Sequence, residues 1–183
     1  EANARFGFSA KNTLGLAQAL YEKHKVLTYP RTDSKALPED YINTVKQTVA
    51  MLKEQDNYTR FAQSIEKNGW VKPNKRIFDN TKISDHFAII PTGQAPKNLS
   101  EPEQKLYDLV TRRFMAVFFP AAEFQVTTRI TEVTGHHFKT EGKVMTNAGW
   151  LAIYGKEALE EKDTEGKGTL VPVAKGEKVL ADK

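Results

Sequence analysis

The sequence predicts an α+β protein, with a mainly helical first part followed by a β-rich second part. Two observations support this prediction. Apolar residues recur at intervals of three and four positions in several stretches before residue 123, whereas apolar and polar residues alternate after it. We therefore expect a helical domain over residues 1–122, which bears Tyr29, and a β-rich domain over residues 123–183.

The first predicted helix ends shortly before Tyr29. Ser9 is placed to cap a helix over about residues 10–24. One face of that helix carries its apolar residues, Leu14, Ala17, Leu20 and Tyr21. Pro30 disfavours helical geometry at the residue before it. Tyr29 is therefore expected in an extended junction that follows the helix.

Two further helices are predicted on either side of a broken segment. The apolar pattern of residues 38–54 indicates one helix, which Pro38 begins. Ser100 and Glu103 form a capping box for another helix, which ends at Pro120. Glycines and prolines interrupt residues 55–98, for which we expect an irregular surface segment.

The β-rich part begins with a predicted hairpin. Apolar and polar residues alternate over residues 124–131, and Gly135 lies in a turn before residues 138–145. Two more short strands are predicted to flank Lys175 and Gly176. The Gly-rich, charged residues 157–168 indicate a mobile loop.

Charge and composition narrow the functional classes. Residues 1–92 hold 14 Lys and Arg against 10 Asp and Glu, so the first half accounts for the whole net charge of +4. This surplus is compatible with a phosphate-backbone partner but weaker than expected of a purely electrostatic DNA binder. The absence of cysteine excludes disulfides and thiolate metal sites, and no apolar run is long enough to cross a bilayer. We expect a cytoplasmic protein with no membrane partner.

Residues 28–34, Thr-Tyr-Pro-Arg-Thr-Asp-Ser, place a phenol two positions from a guanidinium. A tyrosine hydroxyl can attack a phosphodiester and form a phosphotyrosine ester, which conserves the bond energy for resealing. A free phenol keeps its proton at neutral pH, so the phenol must be activated by a nearby base, a neighbouring cation or a metal-bound hydroxide. Arg31 offers a planar fork of donors that grips phosphate oxygens and stabilises their developing charge. In an arbitrary Tyr-Pro-Arg sequence the tyrosine is more often a packed aromatic residue than a nucleophile. The choice between the two therefore depends on the surrounding sequence.

Two strings give the sequence a specific resemblance. Residues 29–34, Tyr-Pro-Arg-Thr-Asp-Ser, resemble the active-site motif of type IA DNA topoisomerases. Residues 85–92, Asp-His-Phe-Ala-Ile-Ile-Pro-Thr, resemble the second signature of that family. With residues 5–10, which resemble the approach to the tyrosine, the match spans most of residues 1–122. The Tyr-Pro-Arg and Ala-Ile-Ile-Pro-Thr strings and Gly149-Trp150 are similar to the topoisomerase III branch.

The resemblance implies a set of site residues. Tyr29 would form a covalent 5′-phosphotyrosine link, Arg31 would contact the scissile phosphate, and His86 would help to position the DNA backbone. Three hydroxyl residues complete the predicted DNA-binding set, Thr28, Thr32 and Ser34. Hydroxyls beside a turn also commonly satisfy local backbone groups, which is the alternative for these three. Phe87 departs from the polar residue often found after this histidine.

The resemblance also implies what the remaining residues do. A type IA enzyme cuts one DNA strand, passes another strand through a gate and reseals the cut, without ATP. Residues 1–122 would form the tyrosine domain, and residues 123–183 the β-rich part of the hinge or gate domain. The magnesium-binding domain of the family is not recognisable in this sequence. We therefore expect a fragment of a longer Mg²⁺-dependent enzyme, which binds chiefly single-stranded DNA, works with the remaining domains of its polypeptide and relaxes nothing alone.

Two alternatives come from other classes of protein. A noncatalytic single-stranded nucleic-acid-binding module would stack Tyr29 on a base and hold a phosphate with Arg31. Tyr29→Phe separates this class from an enzyme, because the ring face survives and the hydroxyl does not. A tyrosine recombinase would need several arginines and a histidine around a tyrosine that usually lies late in the chain, whereas Tyr29 lies early.

Three other clusters have simpler interpretations that compete with a site. One is an alternating acidic run, Glu161, Asp163 and Glu165. Its glycine and lysine neighbours favour a solvated loop over a metal site. A second is the adjacent pair His136 and His137 in the predicted turn, which has no further ligand at zinc spacing.

The third cluster mixes an aromatic residue with cations, Trp70, Lys72, Lys75 and Arg76. A base-stacking surface and a solvated loop with one packed tryptophan explain it about equally well. No metal site is predicted in this sequence.

Overall fold

Five α-helices and a two-stranded antiparallel sheet form the regular structure of residues 1–155 and 170–178, which are the residues that the computed structural model describes. The chain divides into two compact units, Glu1–Pro120 and Ala121–Lys183. The first unit contains the five α-helices, and the second contains the sheet and a 3-10 helix, Gly149–Tyr154. The predicted α+β class is therefore confirmed.

The helices of the first unit include the three that the sequence predicts. Their bounds are α1 Ala2–Phe6, α2 Ala10–Glu22, α3 Ile42–Lys53, α4 Thr59–Lys67 and α5 Glu101–Ala116. The Ser9 hydroxyl oxygen caps α2 by accepting from the Asn12 amide at 3.1 Å. The Glu103 carboxylate caps α5 by accepting from the Ser100 amide at 2.8 Å and from its hydroxyl at 2.7 Å. The helix expected from Pro38 starts as a 3-10 turn, Glu39–Tyr41, and continues as α3.

The core of the first unit forms where α2 and α4 pack against α5 and where α3 packs against α4. Its most deeply buried side chains include Leu20, Val45, Leu52, Tyr58, Ile65, Tyr107 and Met115. The Tyr58 hydroxyl donates to Asp108 Oδ1 at 3.0 Å and so connects the start of α4 to α5. Burial, together with the Asp108 carboxylate, raises the pKa of Tyr58, which keeps the phenol protonated as the donor of this bond.

The expectation of an irregular surface segment over residues 55–98 is wrong in two respects. Residues Thr59–Lys67 form α4, and the segment contributes buried side chains to the core. Its buried apolar residues include Tyr58, Phe61, Ala62, Ile65, Val71, Phe78 and Ile90. The first four recur at intervals of three and four, the spacing of one helix face. The breaking residues begin only at Gly69, after the helix has ended. Helix α1 was also not predicted.

The second unit contains the predicted β-hairpin, which is confirmed. Strand β1, Glu123–Val133, pairs antiparallel with β2, His136–Asn147. Thr134 and Gly135 connect them with φ values of 49° and 77°, which is the backbone of a tight type I′ turn. His136 therefore begins β2, and the prediction that it and His137 lie in the turn is wrong. Residues 170–178 include the turn at Lys175 and Gly176 but no strand, and residues 157–168, for which a loop was predicted, lie outside the described residues.

Asp79 stabilises the segment that runs beside the junction after Tyr29. Its Oδ1 accepts from the Thr81 hydroxyl at 2.7 Å and from the Thr81 amide at 3.1 Å, and its Oδ2 lies 2.9 Å from Lys82 Nζ. The Asp79 amide donates to the Leu37 carbonyl at 2.9 Å. The Thr81 hydroxyl, and then Lys82, lower the pKa of Asp79 to about 2. The carboxylate form is therefore favoured in the folded protein.

Asp79→Asn should remove part of the pH dependence of folding. Because the pKa of Asp79 is lower in the folded state than in the unfolded state, its contribution to stability is complete above about pH 4 and is lost as the pH falls toward about 2. Urea unfolding at a series of pH values should show a lower midpoint for Asp79→Asn near neutral pH and a difference that shrinks in acid. Asp56→Asn, an exposed control, should show no such trend. A constant difference at every pH would contradict this account.

Candidate active site around Tyr29

The two motifs that the sequence singles out lie side by side in the first unit. Leu27 and Pro91 form an antiparallel bridge. The Thr28 amide donates to the Ile90 carbonyl at 3.0 Å, and the Thr92 amide donates to the Val26 carbonyl at 3.0 Å. Residues 26–28 are thus paired with residues 90–92, which brings together segments that are some sixty positions apart in the sequence. This pairing positions Tyr29 beside the second motif.

Tyr29 lies between two rings at the end of this pairing. The His86 ring lies 4.2 Å from the Tyr29 ring between centroids, with 41° between the planes. The Tyr21 ring, from the last turn of α2, meets Tyr29 edge-on at 5.4 Å. Tyr29 is half-buried, and its hydroxyl makes no hydrogen bond to any described residue. The ring is therefore held in place while the hydroxyl remains available.

Arg31 borders an open depression of about 410 Å³ next to Tyr29. The depression is lined by Arg31, Thr32, Asp33, Ser84, Asp85 and His86. Arg31 is exposed and forms no ion pair with the acidic residues of the described chain. Its guanidinium is thus the strongest anion-binding group of the depression, where two carboxylates also lie. Arg31 and His86 thus line the same depression, and the His86 ring also contacts the Tyr29 ring.

The three predicted hydroxyl residues all bond to backbone groups. Thr28 Oγ1 donates to the Ala88 carbonyl at 3.1 Å and accepts from the Ile90 amide at 2.9 Å. Thr32 Oγ1 donates to the His86 carbonyl at 2.8 Å and accepts from the Ser34 amide at 3.0 Å. Ser34 Oγ donates to the Lys82 carbonyl at 2.8 Å. Since a hydroxyl has one proton to donate, none of them has a proton left for a phosphate in this arrangement.

Thr28→Val should loosen the pairing that positions Tyr29. Valine has nearly the same shape as threonine, but it leaves the Ile90 amide and the Ala88 carbonyl without their side-chain partner. We expect a loss of about 1 kcal/mol in the free energy of unfolding. This is the lower end of the cost of leaving a buried hydrogen-bonding group without a partner, because the site is only partly buried. Urea denaturation measures this loss. Thr127→Val, on the exposed surface of β1, is the matched control, and an equal loss in both variants would contradict the account.

Two residues around the site were not predicted from the sequence. Tyr21 was assigned only to the apolar face of α2, although its place in the last turn of the helix directs it toward the junction. The Phe87 ring packs against the Tyr41 ring at 4.8 Å between centroids. Phe87 thus anchors the loop that carries His86.

The acidic run, the histidine pair and the Trp70 cluster singled out in the sequence do not form a second candidate site within the described residues. No group of three or more His, Cys, Asp or Glu residues within residues 1–155 and 170–178 could hold a metal ion. His136 and His137 occupy successive positions of β2, so their side chains project to opposite faces. Trp70 is half-buried and packs against Phe119 at 4.7 Å between ring centroids, which favours the packed tryptophan over a stacking surface. The acidic run Glu161, Asp163 and Glu165 lies outside the described residues.

The chain is similar to known DNA topoisomerases. A family model described as DNA topoisomerase matches residues 1–183. The chain is 42% identical over 180 residues to DNA topoisomerase 3 of Bacillus subtilis strain 168, an alignment that covers 97% of this chain and 24% of that protein. It is 42% identical over 179 residues to DNA topoisomerase 3 of Bacillus licheniformis, again with 97% and 24% covered. The chain thus spans about a quarter of the length of these curated relatives.

None of the helices within residues 1–155 and 170–178 has both the length and the apolar character that a membrane span requires.

Proposed function

Because this chain belongs to the type IA DNA topoisomerase family and is topoisomerase III-like, we propose that it carries the strand-cleaving tyrosine of a longer enzyme. Tyr29 breaks one DNA strand through a 5′-phosphotyrosine intermediate. Another strand passes through the gap, and the first strand is resealed without ATP. The single observation that supports this proposal best is the convergence of Tyr29, Arg31 and His86 from the two paired motifs.

In the proposed reaction the Tyr29 oxygen attacks the scissile phosphorus. A bond forms between the phenol oxygen and phosphorus, the bond from phosphorus to the 3′ oxygen breaks, and the 3′ oxygen leaves as a hydroxyl after taking up a proton. The Tyr29 proton passes to a base. The number of phosphoester bonds is conserved, because a bond to the phenol oxygen replaces the bond to the 3′ oxygen, so the 3′ hydroxyl can reverse the step without a nucleotide cofactor.

Arg31 and His86 have different tasks in this proposal. The Arg31 guanidinium binds nonbridging oxygens of the scissile phosphate and stabilises the charge that grows on them during attack. His86, whose ring packs on Tyr29, positions the DNA backbone beside the attacking oxygen. The packing of Tyr21 and His86 around Tyr29 reduces the motion that the phenol must lose before attack.

The DNA contacts predicted for Thr28, Thr32 and Ser34 remain a prediction. The hydrogen bonds of these hydroxyl groups favour an indirect role in DNA binding. Thr32 is bonded to the His86 carbonyl, and Thr28 spans the paired segments. We propose that these hydroxyls act on DNA chiefly by holding the loop that carries His86. Their oxygens contact the strand only where a backbone bond is exchanged.

The remaining predictions concern the whole enzyme. Residues 1–122 are proposed as its tyrosine domain, and residues 123–183 as part of its hinge or gate domain. The described residues do not fit a magnesium site, so we propose that the Mg²⁺ requirement implied by the family resides elsewhere in the polypeptide. Single-stranded DNA and the remaining domains are the proposed partners, and the cytoplasm is the proposed location.

Relaxation of negatively supercoiled plasmid tests this assignment. The full-length protein that carries this chain should relax the plasmid with Mg²⁺ and without ATP. Residues 1–183 alone should fold and bind single-stranded DNA weakly but leave the plasmid supercoiled. Relaxation by residues 1–183 alone would contradict the proposal that the reaction requires other domains of the polypeptide. An inactive full-length protein that still binds single strands would favour the noncatalytic binding module instead.

A further inference from the structure

A second depression lies at the other end of the pairing that positions Tyr29. It encloses about 510 Å³ and is lined by Lys23, His24, Gln94, Ala95 and Lys97. The pairing of residues 26–28 with residues 90–92 is antiparallel, so residues 23–25 and 94–97 meet at the end away from Tyr29. None of these lining residues has a part in the site described above.

The backbone around this depression is fixed by specific bonds. The Thr92 hydroxyl donates to the Lys25 carbonyl at 2.7 Å and accepts from the Gln94 amide at 3.2 Å. Lys25 has a φ of 59°, a left-handed conformation that is uncommon for a lysine and that these contacts help to hold. His24 Nε2 lies 3.1 Å from Glu103 Oε1, with both side chains about nine-tenths buried. These bonds therefore hold the backbone beside the depression in place.

Three lysines give this region an excess of positive charge. Lys23, Lys25 and Lys97 are exposed, and none forms an ion pair with an acidic residue in the described part of the chain. The nearby carboxylate of Glu103 is already engaged by Ser100 and His24. An anion that enters the depression would thus meet the ammonium groups of Lys23 and Lys97, which line it and which no carboxylate of the described chain neutralises.

A short path of contacts joins this region to the proposed nucleophile. The Lys25 Nζ lies 5.8 Å from the centroid of the Tyr21 ring, and the Tyr21 ring packs edge-on against Tyr29. The four residues from Lys25 to Tyr29 span at most roughly 14 Å. A single DNA strand that reaches Tyr29 therefore needs only a few nucleotides to reach the lysines.

We propose that Lys23, Lys25 and Lys97 form a subsite for a phosphodiester of the strand that Tyr29 attacks, a few nucleotides from the scissile phosphate. This inference rests on the proposed function. Lysine ammonium groups act as point charges without a base preference, so the subsite holds the strand independently of its sequence. It lies to one side of the scissile phosphate and retains that side of the strand while the cut is open.

The test measures salt dependence of binding rather than cleavage. The full-length protein with Tyr29→Phe, which cannot cut, is compared with the same protein carrying Lys23→Gln and Lys97→Gln. The control variant loses two exposed lysines of the first unit elsewhere, Lys46→Gln and Lys67→Gln. Single-stranded oligonucleotides are lengthened one nucleotide at a time, on either side of a mapped cleavage site. Affinity is measured at several salt concentrations.

The expected result depends on both the side and the length of the extension. With long oligonucleotides, the Lys23→Gln and Lys97→Gln protein should show a slope of log affinity against log salt that is shallower by about 0.7, the change expected when one phosphate contact is lost. The difference should appear only after a few nucleotides have been added on one side of the cleavage site. The control variant should keep the original slope.

Three results would overturn the subsite. They are an unchanged slope, an equal change in the control variant, and a change already complete with the shortest oligonucleotide. Failure of this test is distinguishable from failure of the proposed function, because covalent capture on Tyr29 is scored separately with the unmodified tyrosine. Capture with an unchanged salt slope would reject the subsite alone, whereas absence of capture would reject the function.

Discussion

Tyr29→Phe is expected to abolish covalent attachment to DNA and plasmid relaxation by the full-length protein, a loss of about three orders of magnitude or more. Phenylalanine lacks the oxygen that forms the bond to phosphorus. The ring contacts with Tyr21 and His86 survive, and the lost hydroxyl has no described hydrogen-bond partner. Folding and binding of single-stranded DNA should therefore remain close to normal. Denaturing gels detect the adduct, and a binding titration detects the retained affinity.

Tyr21→Phe provides the matched control for this prediction. It removes a phenol oxygen from the ring next to Tyr29 and keeps the edge-on packing. Adduct formation should continue in this variant. Loss of the adduct in Tyr21→Phe, with retention in Tyr29→Phe, would show that Tyr21 is the nucleophile and would contradict the assignment of Tyr29.

Arg31→Ala is expected to slow cleavage by about 10² to 10³-fold, the effect of removing one donor that stabilises charge in a transition state. Arg31 is exposed and forms no described ion pair, so its removal should leave the fold intact. Arg31→Lys keeps the charge but loses the planar fork of donors. Its cleavage rate should fall between the rate of the unmodified protein and that of Arg31→Ala. Single-turnover cleavage of a labelled oligonucleotide at saturating protein measures these rates.

Arg113→Ala serves as the control, because Arg113 is exposed in the last turn of α5 and lies outside both depressions. Its cleavage rate should equal that of the unmodified protein. An Arg31→Ala protein that binds DNA less tightly but cleaves normally at saturation would show that Arg31 acts only in binding.

The parts of the fold that were predictable depend on local signals. Helices α2 and α5 begin at the polar caps Ser9 and Ser100, and the hairpin follows a strict alternation with a turn at Gly135. Helix α4 was missed because later glycines and prolines dominated the interpretation of its segment, although Tyr58 and Ile65 mark its buried face.

The candidate site residues were proposed from the sequence, but their spatial arrangement was not. Tyr29, Arg31 and His86 were identified from motifs, each of which is a short local string. The pairing of residues 26–28 with residues 90–92 depends on a contact between distant segments, which no local pattern encodes. The contact of Tyr21 with Tyr29 and the backbone partners of the three hydroxyl residues follow from that pairing. They therefore required the structure.

Capture of a labelled DNA end on Tyr29 tests the central proposal most directly. The full-length protein is incubated with Mg²⁺ and with single-stranded oligonucleotides labelled at either the 5′ or the 3′ end, denatured, and digested to map the modified residue. We expect that only the 3′-labelled strand becomes attached, through the newly created 5′ phosphate, and that the attachment maps to Tyr29. Attachment of the 5′-labelled strand, or no attachment to Tyr29 in a preparation that relaxes plasmid, would contradict it.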